Sequence, residues 1–210
     1  ALSLAAAMLS LAGSAFAQSN VTVYGVMDAT YDYIGASKST AATQVKNDGR
    51  VSANSSYLGF KGVEDLGNGL KAVFQTEGGL SNDSAGSWGG SNRDTFVGLT
   101  GGFGSVLLGN FTGPARLIGA KVDVNSGATG IGFQGAIYGR GTTTSGASSG
   151  TRTGFDDRTA NAVAYSSPNF SGFSAQAVWG AGSEAKDSTT RTDNVFALGL
   201  NYENGPFYAA

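Results

Sequence analysis

The stretch NVTVYGVMDATYDYIG, Asn20 to Gly35, decides the fold. One parity holds Val21, Val23, Gly25, Met27, Ala29, Tyr31 and Tyr33. The other holds Thr22, Tyr24, Val26, Asp28, Thr30 and Asp32. A period of two is the signature of a strand whose two faces meet different surroundings. Read as one strand, the stretch runs well past the usual five or six residues. So long a strand, with apolar residues on one side and carboxylates on the other, asks for an apolar medium facing a wet one.

The alternation recurs downstream. In LKAVFQTE, Lys71, Gln75 and Glu77 oppose Leu70, Ala72 and Phe74. In SSYLGFKG, Tyr57, Gly59 and Lys61 oppose Ser56, Leu58 and Phe60. Phe173, Ala175, Ala177 and Trp179 share one face of GFSAQAVWG, and Phe196, Leu198, Leu200 and Tyr202 share one face of DNVFALGLNYENG. RDTFVGLT and SVLLGN alternate less cleanly, and no segment of helical period competes.

Composition agrees with an all-β chain. The 210 residues include 34 Gly, 3 Pro, no Cys and no His, and charged residues make up 13%, about half the usual share. Without Cys or His there is no thiol chemistry, disulfide, imidazole acid–base catalysis or common zinc site. A net charge of −2 offers no basic footprint for nucleic acid.

Residues 1–17, ALSLAAAMLSLAGSAFA, are apolar and end in Ala15-Phe16-Ala17, a small-x-small cleavage signal before Gln18. They read as the hydrophobic part of an export signal, with residues 18–210 as the mature portion. Beyond residue 17 no apolar run approaches the ~18 residues of a membrane-spanning helix.

The connections alternate in length. Short ones at 64–69, 101–104, 167–172 and 203–206 are dense in Gly, Asn and Pro. Long ones run over 35–55, 81–92, 111–157 and 181–193 and are rich in Ser, Thr, Gly and Asn. Tight turns at one end and long loops at the other describe a transmembrane antiparallel β-barrel. In lipid every backbone polar group must pair, so the sheet has to close. Val21, Val23 and Met27 then face lipid, and Asp28, Thr30 and Asp32 a wet lumen. A soluble sandwich also alternates, but strand length, loop asymmetry and the export signal weigh against it.

VTVYGVMDA, YLGFKGVEDLGNGLKAVFQTE, FVGLTGGFGSVLLGN, AVAYSSPNFSGF and YENGP follow one another with the expected gaps. Together, from Val21 onward, they resemble the Gram-negative general porins of the beta-proteobacterial type. The resemblance implies a sixteen-stranded outer-membrane barrel, usually a homotrimer set among outer-membrane lipids. Ions and small hydrophilic solutes diffuse through each lumen, with no catalytic residue, cofactor, metal or nucleic acid. It implies that this chain covers about the N-terminal half, eight strands and the start of a ninth at Phe207. Residues 111–157 would be the loop that folds inward and narrows the pore.

In such a channel the chemistry is the field across a narrow wet pore. Arg93 in RDTFVGL and Arg158, seven residues before Tyr165, match the family's wall arginines. Asp123 in KVDV matches the acidic residue of the inserted loop. Lys61 and Lys71 share parity with lumen-facing neighbours and add positive field; Asp28, Asp32 and Glu77 add negative field. Where relatives carry arginine before LGFKG and after VLLG, this chain has Tyr57 and Asn110. The basic wall is thinner for it, which weighs against strong anion selectivity. Tyr24, Tyr31, Tyr33, Trp179 and Tyr202 are candidates for the aromatic girdle at the membrane interface.

Two other functions compete with a general diffusion channel. A solute-specific channel on the same scaffold calls for an aromatic slide, and a barrel-anchored adhesin would use the long loops.

Overall fold

A computed structural model describes residues 20–35, 48–83, 93–124, 158–182 and 194–210. Residues 1–17 and most of 111–157, including its Gly/Ser/Thr-rich tail, lie outside the described residues.

The described chain is an antiparallel β structure with one short helix. Its strands are β1 (Asn20–Val26), β2 (Thr30–Ile34), β3 (Asp48–Ser52), β4 (Tyr57–Gly67), β5 (Leu70–Gly79), β6 (Thr95–Gly101) and β7 (Gly104–Thr112). After helix α1 (Pro114–Val122) come β8 (Arg158–Ser166), β9 (Phe173–Gly180), β10 (Val195–Asn204) and β11 (Phe207–Ala209). Nine strands form one sheet in the order β1-β4-β5-β6-β7-β8-β9-β10-β11, and β2 pairs with β3 as a separate ribbon.

From β4 onward each strand pairs with its neighbour in sequence, an up-and-down meander. β4, β5 and β10 have 11, 10 and 10 residues, within the roughly 9–11 that a tilted strand needs to cross the hydrocarbon layer. No described helix is long and apolar enough to cross a membrane, which says nothing of crossing by strands.

The turns follow from their residues. Between β4 and β5 stand only Asn68 and Gly69, both left-handed at φ 52° and 78°. That is the backbone of a type I′ turn, whose twist matches the paired strands.

The expected single strand from Asn20 to Gly35 is in fact two. Between β1 and β2 lie Met27, Asp28 and Ala29; opposite them, between β3 and β4, lie four residues, Ala53 to Ser56. Three against four cannot keep one ladder, so the extra residue breaks it like a bulge. Ser56, 3% exposed, closes the gap. Its Oγ accepts the Asp28 N–H at 2.8 Å and donates to the carbonyl of Ala53 or Asp28, at 2.7 and 2.9 Å. Asp83 accepts the Ala53 N–H (2.9 Å) and Asn82 donates to the Asp28 carbonyl (3.2 Å), so the segment after β5 is tied to the same point. Period two is preserved on either side, which is why the break is invisible in sequence.

The helix is a second correction, since no helical segment was expected. Pro114 stands at its start, where a missing N–H costs nothing. Ala115, Arg116, Leu117, Ala120 and Lys121 are good helix formers, and Lys121 in the last turn suits the helix dipole. Nine residues are too few for a periodic signal to stand out.

The two faces of the sheet differ sharply. One carries Val21, Val23, Phe74, Val97, Leu99, Leu108, Val163, Trp179, Phe196, Leu198 and Leu200, with Val23 61% and Phe196 70% exposed. In water, each such side chain would forgo about 1.5–3 kcal/mol of burial, whereas lipid takes them up. The register puts the polar residues on the opposite face: Thr22 with Lys61, Lys61 with Gln75, Asp65 with Lys71, and Thr100 with Ser105.

Candidate functional site

The polar face carries a connected charged cluster across β1, β4, β5 and the approach to β6. Tyr24 on β1 lies opposite Gly59 on β4, and Gly59 lies opposite Glu77 on β5. A Cβ at Gly59 would stand 2.6 Å from Tyr24 Cζ. The bare glycine thus lets the phenol cross a whole strand and donate to Glu77 Oε1 at 2.8 Å. Gln75 Nε2 donates to the same oxygen at 3.0 Å. Arg93 Nε donates to Glu77 Oε2 at 3.1 Å, with the two side chains 16% and 8% exposed. Glu77 is the hub, accepting three donors from three segments.

The aromatic rings join the cations into a row. The Arg93 guanidinium lies 4.1 Å from the Tyr57 ring centroid. Tyr57 meets Tyr24 edge-on at 6.1 Å. Lys61 Nζ sits 4.9 Å from the Tyr24 centroid. Each contact lets a cation meet the negative face of a ring. Asn110 Nδ2 donates to the Arg93 carbonyl at 2.8 Å. Tyr57 and Asn110, noted as departures from the family's arginines, both hold Arg93.

Arg158 is paired as well. Its Nε donates to Asp94 Oδ1 at 2.6 Å, with exposures of 16% and 20%. Thr112 Oγ1 donates to the same carboxylate, at 2.8 and 3.0 Å from its two oxygens. Arg93 and Asp94 are consecutive residues just ahead of β6, so the two ion pairs adjoin along the chain. Both lie toward the end of the sheet that carries the long connections.

Further along the same face the side chains become small. Phe111, Ala162, Ala164 and Val178 form a buried cluster with Phe96, Leu107 and Ala197 packed against it. Helix α1 lies over β9 and β10. Its Pro114 occupies the space above Gly199, where an added Cβ would stand 2.7 Å from Pro114 Cβ. At its other end Lys121 pairs with Glu203 and lies 4.9 Å from the Tyr208 ring centroid.

Of the residues expected from sequence, Arg93, Glu77, Tyr57 and Lys61 come together in one cluster, with Arg158 in the adjoining pair. Lys71 stands elsewhere, paired in register with Asp65 beside the Asn68-Gly69 turn. Asp28 is engaged through its backbone at the strand break. Asp32 pairs with Arg50 at 3.4 Å on the β2–β3 ribbon. Asp123 is the C-cap of α1.

Tyr24 corrects an expectation. Proposed for the aromatic girdle, it lies on the polar face as a donor to Glu77, as its shared parity with Thr22 already indicated. Asp94 was missed altogether; the consecutive opposite charges in NRDTF were the available signal.

Comparison with known proteins agrees with this architecture. A model of the Gram-negative porin family matches residues 1–210. The chain is 33% identical over 199 residues to the major outer membrane protein P.IB of Neisseria gonorrhoeae, covering 92% of this chain and 51% of that protein. It is 34% identical over 215 residues to outer membrane porin protein 32 of Delftia acidovorans, covering 99% and 57%. Among solved structures, an anion-selective porin from Comamonas acidovorans superposes with a TM-score of 0.67 at 30% identity, covering 90% of this chain and 55% of that one. The chain spans about half the length of the curated relatives it matches. A transmembrane-length antiparallel meander, apolar on one face and charged on the other, and a family match along its whole length lead to one conclusion: the chain belongs to the Gram-negative porins of the outer membrane.

Proposed function

We propose that this chain forms part of the wall of a water-filled channel through which ions and small hydrophilic solutes diffuse passively across the outer membrane. The observation that carries the reading is the split between faces. Exposed Val23, Phe196 and Leu198 stand on one side, and Lys61, Glu77 and Arg93 on the other. A transmembrane sheet has a use for such a charged face only where it borders water. The intact protein assembles as a homotrimer, each subunit with its own lumen. The 111–157 loop, beginning in α1, narrows that lumen, with Asp123 adding negative charge to it. Arg93, Arg158, Lys61, Lys71, Asp28 and Glu77 line the wall at different depths. Transport needs no bond chemistry; the wall acts through aperture and field.

Single-channel recording of the intact protein in a planar bilayer tests this. Stepwise openings in threes are expected, ohmic and rising in conductance with salt. A folded, heat-modifiable barrel that gave no conductance would overturn it.

A further inference from the structure

The wall arginines do not stand alone. Arg93 is bound by Glu77 at 3.1 Å and Arg158 by Asp94 at 2.6 Å, and all four side chains are at most one-fifth exposed. Neither carboxylate is free to swing away. Glu77 is also held by Tyr24 and Gln75, and Asp94 by Thr112. A fixed pair of opposite charges about 3 Å apart presents a dipole to a passing ion, and a dipole's field decays faster with distance than a lone charge's. Screening by salt over roughly 8–10 Å shortens the reach further. The exposed cation of this row, Lys61, leans on the Tyr24 ring at the far end from Arg93.

We infer that Glu77 and Asp94 are selectivity-determining residues, each cancelling the field of a wall arginine, so that the channel discriminates only weakly between anions and cations. The inference rests on the channel reading above and goes beyond it in assigning the sign and size of selection to two carboxylates. The wall then suits small neutral or weakly charged polar solutes rather than multivalent anions, which need unpaired cations to offset their desolvation.

The test is reversal potential under a potassium chloride gradient, measured on the intact channel and on charge-removing variants of similar volume. Glu77→Gln keeps one carbonyl oxygen as acceptor for Arg93 and turns its amide N–H toward Tyr24, whose phenol oxygen can accept it, while freeing the positive charge. It should raise the anion-over-cation permeability ratio about two- to threefold. Asp94→Asn should do the same at the second pair. Arg93→Gln should shift the ratio the other way by a similar factor, and Glu77→Gln combined with Arg93→Gln should return it close to wild type. If Glu77→Gln impairs folding, seen as loss of the heat-shifted band, Asp94→Asn decides between the outcomes on its own.

The inference is overturned if the wild type is strongly anion-selective, or if both carboxylate variants leave the reversal potential unchanged while Arg93→Gln moves it. Absence of conductance in a folded wild-type barrel would instead refute the channel reading itself.

Discussion

One face of the sheet holds two unlike regions. From β1 to the approach to β6 it is long-chained and charged, with Lys61, Tyr24, Tyr57, Arg93 and Glu77 in contact. Across the middle of β8 and β9 it is small and apolar, with Ala162, Ala164 and Val178 buried. The helix lies over the second region, on β9 and β10. Small residues on a face otherwise polar mark where another segment of the chain lies down. Large charged ones stand where no described segment lies on the face. The glycines serve opposite ends in the two regions. Gly59 makes room for a side chain of its own sheet, Gly199 for the helix.

The covered region is the more fragile. Val178→Asp would bury a carboxylate at a site of 0% exposure, within a cluster of Phe111, Ala162 and Ala164. A cost of about 3 kcal/mol or more is expected, read as failure to recover the heat-shifted band on refolding. In the charged region, Gly59→Val drives Tyr24 off β4 and removes its bond to Glu77. Losing a hydrogen bond to a charged acceptor costs about 1.5–3 kcal/mol, and thermal unfolding should begin earlier with conductance retained. Gly199→Val acts on the helix and not on the sheet. Overpacking against Pro114 costs about 1–3 kcal/mol, and the expected sign is release of α1, faster trypsin cleavage after Lys121 and an altered single-channel conductance. Should cleavage and conductance both stay at wild-type values, the contrast between covered and charged regions would lose its basis. The smallest effect belongs to Lys61→Met. An exposed cation–π contact is worth about 0.5–1 kcal/mol, so stability should barely change while the reversal potential moves toward cations.

Much of this was legible in the sequence because a barrel repeats one rule. Period two assigned Lys61, Gln75 and Glu77 to one face and Phe196, Leu198 and Leu200 to the other, and the register places them so. Turn chemistry located the short connections. What escaped depended on contacts between strands that no single strand encodes. The bond from Tyr24 to Glu77 requires knowing that Gly59 lies between them. The pairing of Arg158 with Asp94 joins residues 64 apart. The strand break needs a count of residues on both strands at once, and the helix is too brief to announce itself.

That break has a bearing on how the sequence can change over time. The odd residue between Ala53 and Ser56 makes β4 point its side chains by the opposite parity from β3. Below it, the β1–β4 pairing starts at the Ser56 fastening, and the Asn68-Gly69 turn fixes β4 against β5. Above it, the β2–β3 ribbon keeps its own count. Insertions or deletions within 35–47, even of a single residue, therefore need not turn a lipid-facing side chain of β1 or β4 inward. A single deletion within 53–56 would leave three residues against three, removing the bulge and letting the β2–β3 ribbon run into the β1–β4 ladder. The β2–β3 ribbon can therefore change the length of its connection while β1 and β4 keep their register.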